Sequence, residues 1–404
     1  MTRRDFVRSG LRAARNAIVL GALALVAACS AGGGGFGGGD FGGGGGTVPV
    51  TGEVIGTGSI KVGLLLPLSA TGNAGQLAQN LRNAADLAIR DFQNAGIQLL
   101  VKDDRGSADG ARAAASEAIS QGAELIIGPL FAEAVTAVSQ VARPARVPVV
   151  AFSTDTRTAS AGVYLLSFLP QSDVERIVSF AAGKGSRSFA ALLPNTAYGT
   201  IVEAALQRSV ANARGRVMAV ERYQLEQTDM QAKATTVAGL VKAGTVDTIL
   251  IPDAGDAAPF LAQILAANGV SPGSITYLGS GQWDDTRIAG ESSLNGAYYP
   301  APDSSGFAGF AQRYRAAFGA APARTATLAY DAVSLAAGLA SRFGDKRFAN
   351  ETLTNPSGYI GLDGAFRFLP NGLNQRGLAV YQINGGRASV VSPAPKTFAK
   401  TPGT

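Results

Sequence analysis

Histidine is absent from this chain of 404 residues, and cysteine occurs once. Without an imidazole, the chain has neither Ser-His-Asp nor Cys-His catalysis, nor a histidine-ligated metal site. A single cysteine permits no internal disulfide and no thiolate zinc cluster. Charged residues make up only 16% of the chain and apolar residues 46%, which is typical of a folded protein rather than a disordered one. We therefore expect no catalytic residues, no cofactor and no metal.

The first 28 residues have the pattern of an export signal. Five arginines precede an apolar run of 12 residues, at positions 17–28. This run is too short to cross a hydrocarbon layer of about 30 Å, so it predicts a cleaved signal peptide rather than an anchor helix. Removing residues 1–28 lowers the net charge from +6 to +2. Nucleic-acid binding thereby loses its main support.

The end of the apolar run carries the only cysteine. Residues 26–29, Val-Ala-Ala-Cys, resemble a lipobox, at which a bacterial signal peptidase cuts and the cysteine is acylated. The resemblance implies a lipid on Cys29 and membrane attachment through it. Ser30 after the cysteine favours the outer membrane under lipoprotein sorting rules. Residues 2–7, Thr-Arg-Arg-Asp-Phe-Val, also resemble a twin-arginine signal, so both that export route and the general secretory one stay open.

A glycine-rich segment follows the cysteine. Residues 31–46 contain 12 glycines, and such a sequence buries too little surface to order itself. We expect residues 29–58 to form the acylated cysteine and a flexible tether.

From about residue 60 the chain alternates apolar runs of five to seven residues with amphipathic stretches. The pattern predicts strands at 61–66, 97–104, 124–129, 147–153, 187–193, 216–223, 246–251, 275–278, 364–368 and 379–383. It predicts helices near 76–94, 108–121, 132–143, 307–318 and 324–342. Such alternation indicates parallel βαβ units. A restart after residue 171 predicts two lobes, with a ligand bound in the cleft at the carboxyl ends of the strands.

Several of these segments match one known family in order. The matching segments are residues 61–76, 126–135, 147–155, 195–199, 328–333 and 361–368. They resemble the type I periplasmic binding proteins of the leucine/isoleucine/valine class. The resemblance implies an α/β fold with two lobes, each a doubly wound, mostly parallel sheet. The implied division is 59–172 lobe 1, 173–301 lobe 2, 302–377 a return to lobe 1, 378–395 a return to lobe 2, and 396–404 a tail.

Within that superfamily, residues 278–285 (LGSGQWDD) are most similar to lipoprotein activators of penicillin-binding proteins. Those activators are outer-membrane lipoproteins that regulate a peptidoglycan synthase. This resemblance implies a penicillin-binding protein as partner.

The resemblance places ligand contacts on the loops after the strands. The implied ligand-binding positions are Ser69, Thr71, Ala132, Ser153, Thr154, Asp155, Tyr198 and Gln282. The family's carboxylate-binding hydroxyl falls on Ala132, and its ammonium-binding acid falls near Gly281 and Gln282, so this chain lacks both groups. A buried ammonium without a counter-charge costs several kcal/mol, and Asp155 is the alternative acid.

Structural roles compete with these assignments. Helix and strand-end capping explains the hydroxyls of Ser69, Thr71 and Ser153 equally well. Tyr198 has two interpretations, ligand contact or packing between the lobes. Trp283 also has two, ligand recognition or packing in the core or at the hinge.

Two functional hypotheses follow. The first, which the missing hydroxyl and acid and the outer-membrane address favour, is a non-catalytic regulator of a penicillin-binding protein. The alternative is an extracytoplasmic receptor that binds an amino acid or peptide and delivers it to an ABC permease. An enzyme has no support, because no nucleophile–base pair or metal-ligand set is present.

Overall fold

The computed structural model describes residues 50–92 and 96–398. The predicted signal peptide, Cys29 and most of the glycine-rich tether lie outside this part of the chain. These described residues belong to one compact unit. Within the described residues, no helix is long and apolar enough to cross a membrane.

The first sheet has six strands in the order β1-β3-β2-β4-β5-β6. All neighbours are parallel except β1, which runs antiparallel to β3. The strands are β1 (Glu53–Ile55), β2 (Ile60–Leu66), β3 (Ile97–Asp103), β4 (Ala123–Ile127), β5 (Val149–Ala151) and β6 (Val163–Leu165). The connecting helices are α1 (Gly72–Asp91), α2 (Ala108–Ser120) and α3 (Ala132–Ala142).

The second sheet is built mainly from residues 188–301. Its parallel strands are β7 (Ser188–Pro194), β8 (Arg216–Tyr223), β9 (Thr248–Leu250), β10 (Thr276–Leu278) and β11 (Tyr298–Ala301). The helices that accompany it are α4 (Pro170–Gly183), α5 (Ala197–Asn212), α6 (Gln227–Lys242), α7 (Ala257–Ala267) and the short α8 (Thr286–Ala289).

Residues 305–376 return to the first sheet. They form α9 (Ser305–Phe318), α10 (Thr327–Ala340), the short α11 (Asn350–Leu353) and a three-stranded antiparallel sheet, β12 (Tyr359–Gly361), β13 (Gly364–Phe368) and β14 (Asn374–Arg376). The chain then crosses back and extends the second sheet, with β15 (Ala379–Asn384) antiparallel to β11 and β16 (Arg387–Ser392) antiparallel to β15.

Successive side chains of each central strand point to opposite faces of the sheet, and both faces are buried. Val62 and Leu64 of β2 pack in a cluster with α1, α9 and α10, whereas Leu65 packs in a cluster with α2 and α3. On the second sheet, Leu192 of β7 packs with α6 and α7, and Leu193 packs with α4 and α5. Strands buried on both faces give the near-continuous apolar runs of the sequence. The expected two-lobed α/β fold is confirmed.

The boundary expected between tether and fold is wrong at its carboxyl end. The tether was expected to reach residue 58, but β1 pairs with β3, with Glu53 opposite Val101. A strand of three residues beside glycines has too little alternation to be seen in the sequence. Its pairing depends on the exposed edge of β3, which only the folded sheet provides.

Three chain crossings join the first sheet to the second, at residues 166–170, 301–305 and 376–379. Hydrogen bonds of Ser167 link the first crossing to the end of β5 and to the start of the third crossing. Its hydroxyl donates to the carbonyl oxygens of Phe152 (2.7 Å) and Ser153 (2.8 Å). Its own carbonyl accepts from Asn374 Nδ2 (2.8 Å) and Arg376 Nε (3.2 Å). The first and third crossings therefore share one buried polar junction, beside the carboxyl end of β5.

Candidate ligand-binding cavity

A cavity of about 500 Å³ lies beside the crossings. This volume falls in the range of about 300–1,000 Å³ that small-molecule sites occupy. Its apolar wall consists of Phe168, Pro170, Pro302 and Phe307, and its charged and polar groups are Asp173, Tyr198, Gln282, Asp284, Asp285, Ser304 and Arg324. An apolar wall with a few convergent polar groups is typical of a ligand site.

Tyr198 is held in this cavity by the turn that follows β7. Thr196 caps α5, and its hydroxyl accepts from the backbone N–H of Gly199 (3.3 Å). The Tyr198 hydroxyl donates to the carbonyl oxygen of Pro252 (3.1 Å), which also accepts from Ser280 Oγ (2.6 Å). Burial raises the pKa of Tyr198 to about 12. The group is therefore a neutral phenol, oriented at the carboxyl ends of three parallel strands.

Gly199 is required for this turn. A Cβ on Gly199 would lie 2.0 Å from the carbonyl oxygen of Pro194, so Gly199→Ala forces the backbone apart. We expect a loss of about 1–3 kcal/mol in the free energy of unfolding, as for other overpacked sites. Gly239→Ala is the matched control, because that helical glycine has open space around it and alanine there should stabilise by about 0.5–1 kcal/mol. Urea unfolding of both variants measures the difference, and equal stability would contradict the steric argument.

Asp173 is one of three acidic groups that line the cavity. It lies in the first turn of α4, just after the first crossing. Its Oδ2 accepts from the backbone N–H of Gly281 (2.9 Å). Burial raises the pKa of Asp173 to about 7, against the opposing effect of the Gly281 hydrogen bond. A carboxyl group in this state ionises readily when a cation arrives, because the cation replaces the lost solvation.

The sequence alone did not identify Asp173. Resemblance placed the ammonium-binding acid near Gly281 and Gln282, where both residues are neutral, and the fold brings Asp173 to that point from 108 positions away. A Cβ on Gly281 would lie 3.0 Å from Asp173 Oδ2, so the glycine allows the close approach. In the sequence, an acid three positions after Pro170 is a common signal for the start of a helix. Its position therefore gives no indication of a role in ligand binding.

The other two acids of the cavity have partners of their own. Asp285 forms an ion pair with Arg287 (2.7 Å), and that guanidinium lowers the pKa of Asp285. Asp284 is exposed and accepts from the Tyr299 hydroxyl (3.4 Å). Asp173 is consequently the acid best placed to hold a buried cation.

Two of the eight ligand-binding positions expected from sequence, Tyr198 and Gln282, line the cavity, and Gln282 is exposed there. Trp283 next to it is fully buried, and its Nε1 donates to the carbonyl oxygen of Asp253 (3.1 Å). These contacts favour the packing role for Trp283.

The other six expected positions follow strands of the first sheet and lie outside the lining of this cavity. Ser69, Thr71 and Thr154 are exposed, and Ala132 is the first residue of α3. Thr71 precedes α1 without a side-chain capping bond. Their contact with a ligand stays a prediction.

Ser153 and Asp155 are engaged in local bonds. The buried Ser153 hydroxyl accepts from the backbone N–H of Asp155 (3.1 Å). Asp155 forms an ion pair with Arg157 (2.6 Å), whose hydrogen bonds lower the pKa of Asp155. An ammonium would have to compete with Arg157 for this carboxylate, so Asp155 is a weaker candidate than Asp173.

Metal binding has no site in the described residues. Across residues 50–92 and 96–398, no three or more Asp, Glu, Cys or His side chains are grouped to hold a metal ion.

Residues 59–388 match the family described as "Periplasmic binding protein". No curated protein matches the sequence. Among solved structures, the chain is similar to a putative branched-chain amino acid ABC transporter from Rhodospirillum rubrum, with 20% identity over 82% of this chain and 99% of that one and a TM-score of 0.72. It is similar to a Desulfitobacterium hafniense ABC transporter substrate-binding protein in complex with Leu, with 16% identity over 82% and 99% and a TM-score of 0.59. A third is an R. palustris solute-binding protein in complex with benzoate, with 18% identity over 85% and 98% and a TM-score of 0.58.

Proposed function

Because the chain belongs to the periplasmic binding protein family, we propose that it binds a small amino-acid-like solute outside the cytoplasm and delivers it to an ABC permease. The observation that carries this proposal is the acid of the cavity, Asp173, beside the oriented Tyr198 hydroxyl. A carboxylate that is short of solvation and open to a cavity favours a ligand with an ammonium group. The protein acts by binding and closure, without catalysis.

The predicted signal peptide and Cys29 complete the proposal. A lipid on Cys29 would hold the protein at a membrane, and the tether would give the binding unit reach. Anchoring in the outer membrane and export through the twin-arginine route stay predictions from the sequence.

The regulator hypothesis receives less support. The solved structures that resemble this chain are described as transporter and solute-binding proteins, and nothing in the comparisons points to a penicillin-binding protein. The missing ammonium acid was one reason for this hypothesis, and Asp173 supplies such an acid. Regulation of a peptidoglycan synthase therefore stays a prediction.

A thermal-unfolding panel tests the proposal on the full chain. The compounds are amino acids, short peptides, muropeptide fragments and benzoate. A ligand at 100 times its dissociation constant should stabilise the native state by about 2.7 kcal/mol. We expect stabilisation by compounds with a free ammonium and none by their N-acetylated forms. A silent panel, combined with binding to a purified penicillin-binding protein, would reject the receptor and support the regulator.

A further inference from the structure

Arg324 also lines the cavity, but it belongs to the other half of the molecule. It begins the turn that precedes α10, and α10 packs with α1 in the core of the first sheet. Asp173 lies on α4, which packs with α5 in the core of the second sheet. The cavity thus brings the cationic side chain of Arg324 and the acidic side chain of Asp173 together from different sheets and their helices.

The Arg324 guanidinium is fixed in place and still accessible. It lies 4.6 Å from the ring centroid of Phe307 and 5.5 Å from that of Phe168. Its Nη2 lies 2.6 Å from Asp363 Oδ1, and its side chain keeps 32% of its surface exposed. A planar guanidinium held by one carboxylate on one edge can accept a second anion on its free edge.

The charged groups around Arg324 carry a net positive charge that favours an anion. Arg376 is a second buried guanidinium, with its centre 4.7 Å from the Phe168 ring centroid. Its Nη1 and Nη2 have no hydrogen-bond partner among the described residues. The carboxyls that face the two guanidiniums are Asp363 and Asp331. Burial and the charge of Asp363 raise the pKa of Asp331 to about 7, so near neutral pH these carboxyls do not fully balance the two cations.

We propose that Arg324 is the carboxylate subsite of this cavity, and that a ligand carboxylate binds its free edge while the ligand ammonium reaches Asp173. This inference rests on the proposed function. A ligand held at both ends joins the two halves of the molecule, so its binding energy favours the closed arrangement. The subsite differs from the position of Ala132, where the family resemblance places carboxylate recognition.

Calorimetric titration of the full chain tests the subsite with two matched pairs of probes. L-leucinamide differs from L-leucine in lacking the α-carboxylate, and L-glutamine differs from L-glutamate in lacking the side-chain carboxylate. We expect the carboxylate form of at least one pair to bind at least tenfold more tightly than its amide. A leucine preference identifies the α-carboxylate as the group bound, and a glutamate preference identifies a second acidic group.

Variants then assign the preference to Arg324. In Arg324→Gln the affinity for the carboxylate probe divided by that for its amide should fall to near one, because glutamine keeps a donor for Asp363 but has no charge. In the control Arg287→Gln, which removes an exposed arginine paired with Asp285, the ratio should persist. A ratio that persists in Arg324→Gln would overturn the subsite.

The wild-type titrations keep the inference testable if Arg324→Gln does not fold. Carboxylates and amides that bind equally would overturn the subsite and leave the proposed function standing. If no compound of either pair or of the wider panel binds, the proposed function fails and the subsite fails with it.

Discussion

Asp173→Asn should weaken the binding of an ammonium-bearing ligand by about 100-fold, the effect expected when one partner of a desolvated charge pair is removed. In the wild type, Asp173 accepts a hydrogen bond from the Gly281 N–H (2.9 Å). Asparagine retains an oxygen that can accept the same bond. The fold should therefore persist while the charge is lost. Calorimetry with the tightest compound of the panel gives the ratio of dissociation constants.

The matched control is Asp285→Asn. Asp285 lines the same cavity, but its charge is already engaged by Arg287 at 2.7 Å. We expect its replacement to change affinity by less than about threefold, as for an exposed ion pair. A loss in Asp285→Asn as large as in Asp173→Asn would show that general cavity charge, and not Asp173, binds the ligand.

The affinity should also depend on pH. The unliganded Asp173 carboxyl has a pKa of about 7, and an ammonium binds its ionised form. Lowering the pH below 7 should therefore weaken binding, by up to tenfold per pH unit, and affinity should level off above pH 8. Tyr198, whose pKa is about 12, stays neutral throughout. The dependence should vanish in Asp173→Asn, and an unchanged pH profile in that variant would assign the titration to another group.

Asp363→Asn should destabilise the fold by about 3–5 kcal/mol, which is typical when one partner of a buried ion pair is removed. Asp363 is fully buried, pairs with Arg324 and accepts from the Thr327 hydroxyl at 2.6 Å. Its replacement leaves the guanidiniums of Arg324 and Arg376 with Asp331 as the remaining carboxyl of the cluster. Urea unfolding at pH 7 measures the loss.

Asp331→Asn is the contrasting variant. Asp331 is buried too, and its pKa of about 7 lies above its unfolded value near 3.9. A carboxyl whose pKa is raised by folding adds to the free energy of unfolding. This contribution is fully present below the pKa of the unfolded state, and it declines as the pH rises to the pKa of the folded state. The wild type should therefore lose up to about 1.4 kcal/mol per pH unit from this group between pH 4 and 7.

Asparagine removes that loss. We expect Asp331→Asn to be as stable as the wild type at pH 4, where the loss begins, and more stable than the wild type at pH 8. Asp104 and Asp173, with pKa values of about 6 and about 7, retain their own pH dependence. If Asp331→Asn costs as much as Asp363→Asn at pH 5, Asp331 is ionised in the fold well below pH 7 and the charge balance argued for Arg324 is wrong.

Local pattern predicts the bounds of some strands closely. The strand expected at 216–223 is β8, and the one expected at 364–368 is β13, with the same bounds. These runs are bounded by glycine, polar or turn residues, so the apolar pattern and its flanking residues are enough to predict where each strand begins and ends. The strands that sequence reasoning missed are β1, β6, β11, β12, β14 and β16, most of them only three or four residues long. Short strands form because a neighbouring strand offers hydrogen bonds, which no local window contains.

The cavity was predictable in part. The family resemblance located Tyr198 and Gln282, and both lie in turns beyond the carboxyl ends of strands, where ligands bind in such sheets. Asp173 and Arg324 each begin or precede a helix, where charged residues are common for reasons unrelated to a ligand. Their shared position depends on the crossings at 166–170 and 301–305, whose paths follow from the packing of both sheets.

The sequence by itself determined the class of the molecule: the alternating apolar runs specify two mostly parallel α/β sheets, the missing histidine excludes catalysis and metal binding by imidazole, and the basic, apolar start predicts export. The tertiary structure alone decided which charges meet. It brought Asp173 against Gly281, neutralised Asp155 with Arg157, and placed Arg324 in the same cavity as Asp173. Secondary structure follows from spacing along the chain, whereas electrostatic partners follow from distance in space and from burial, which only the packed fold defines.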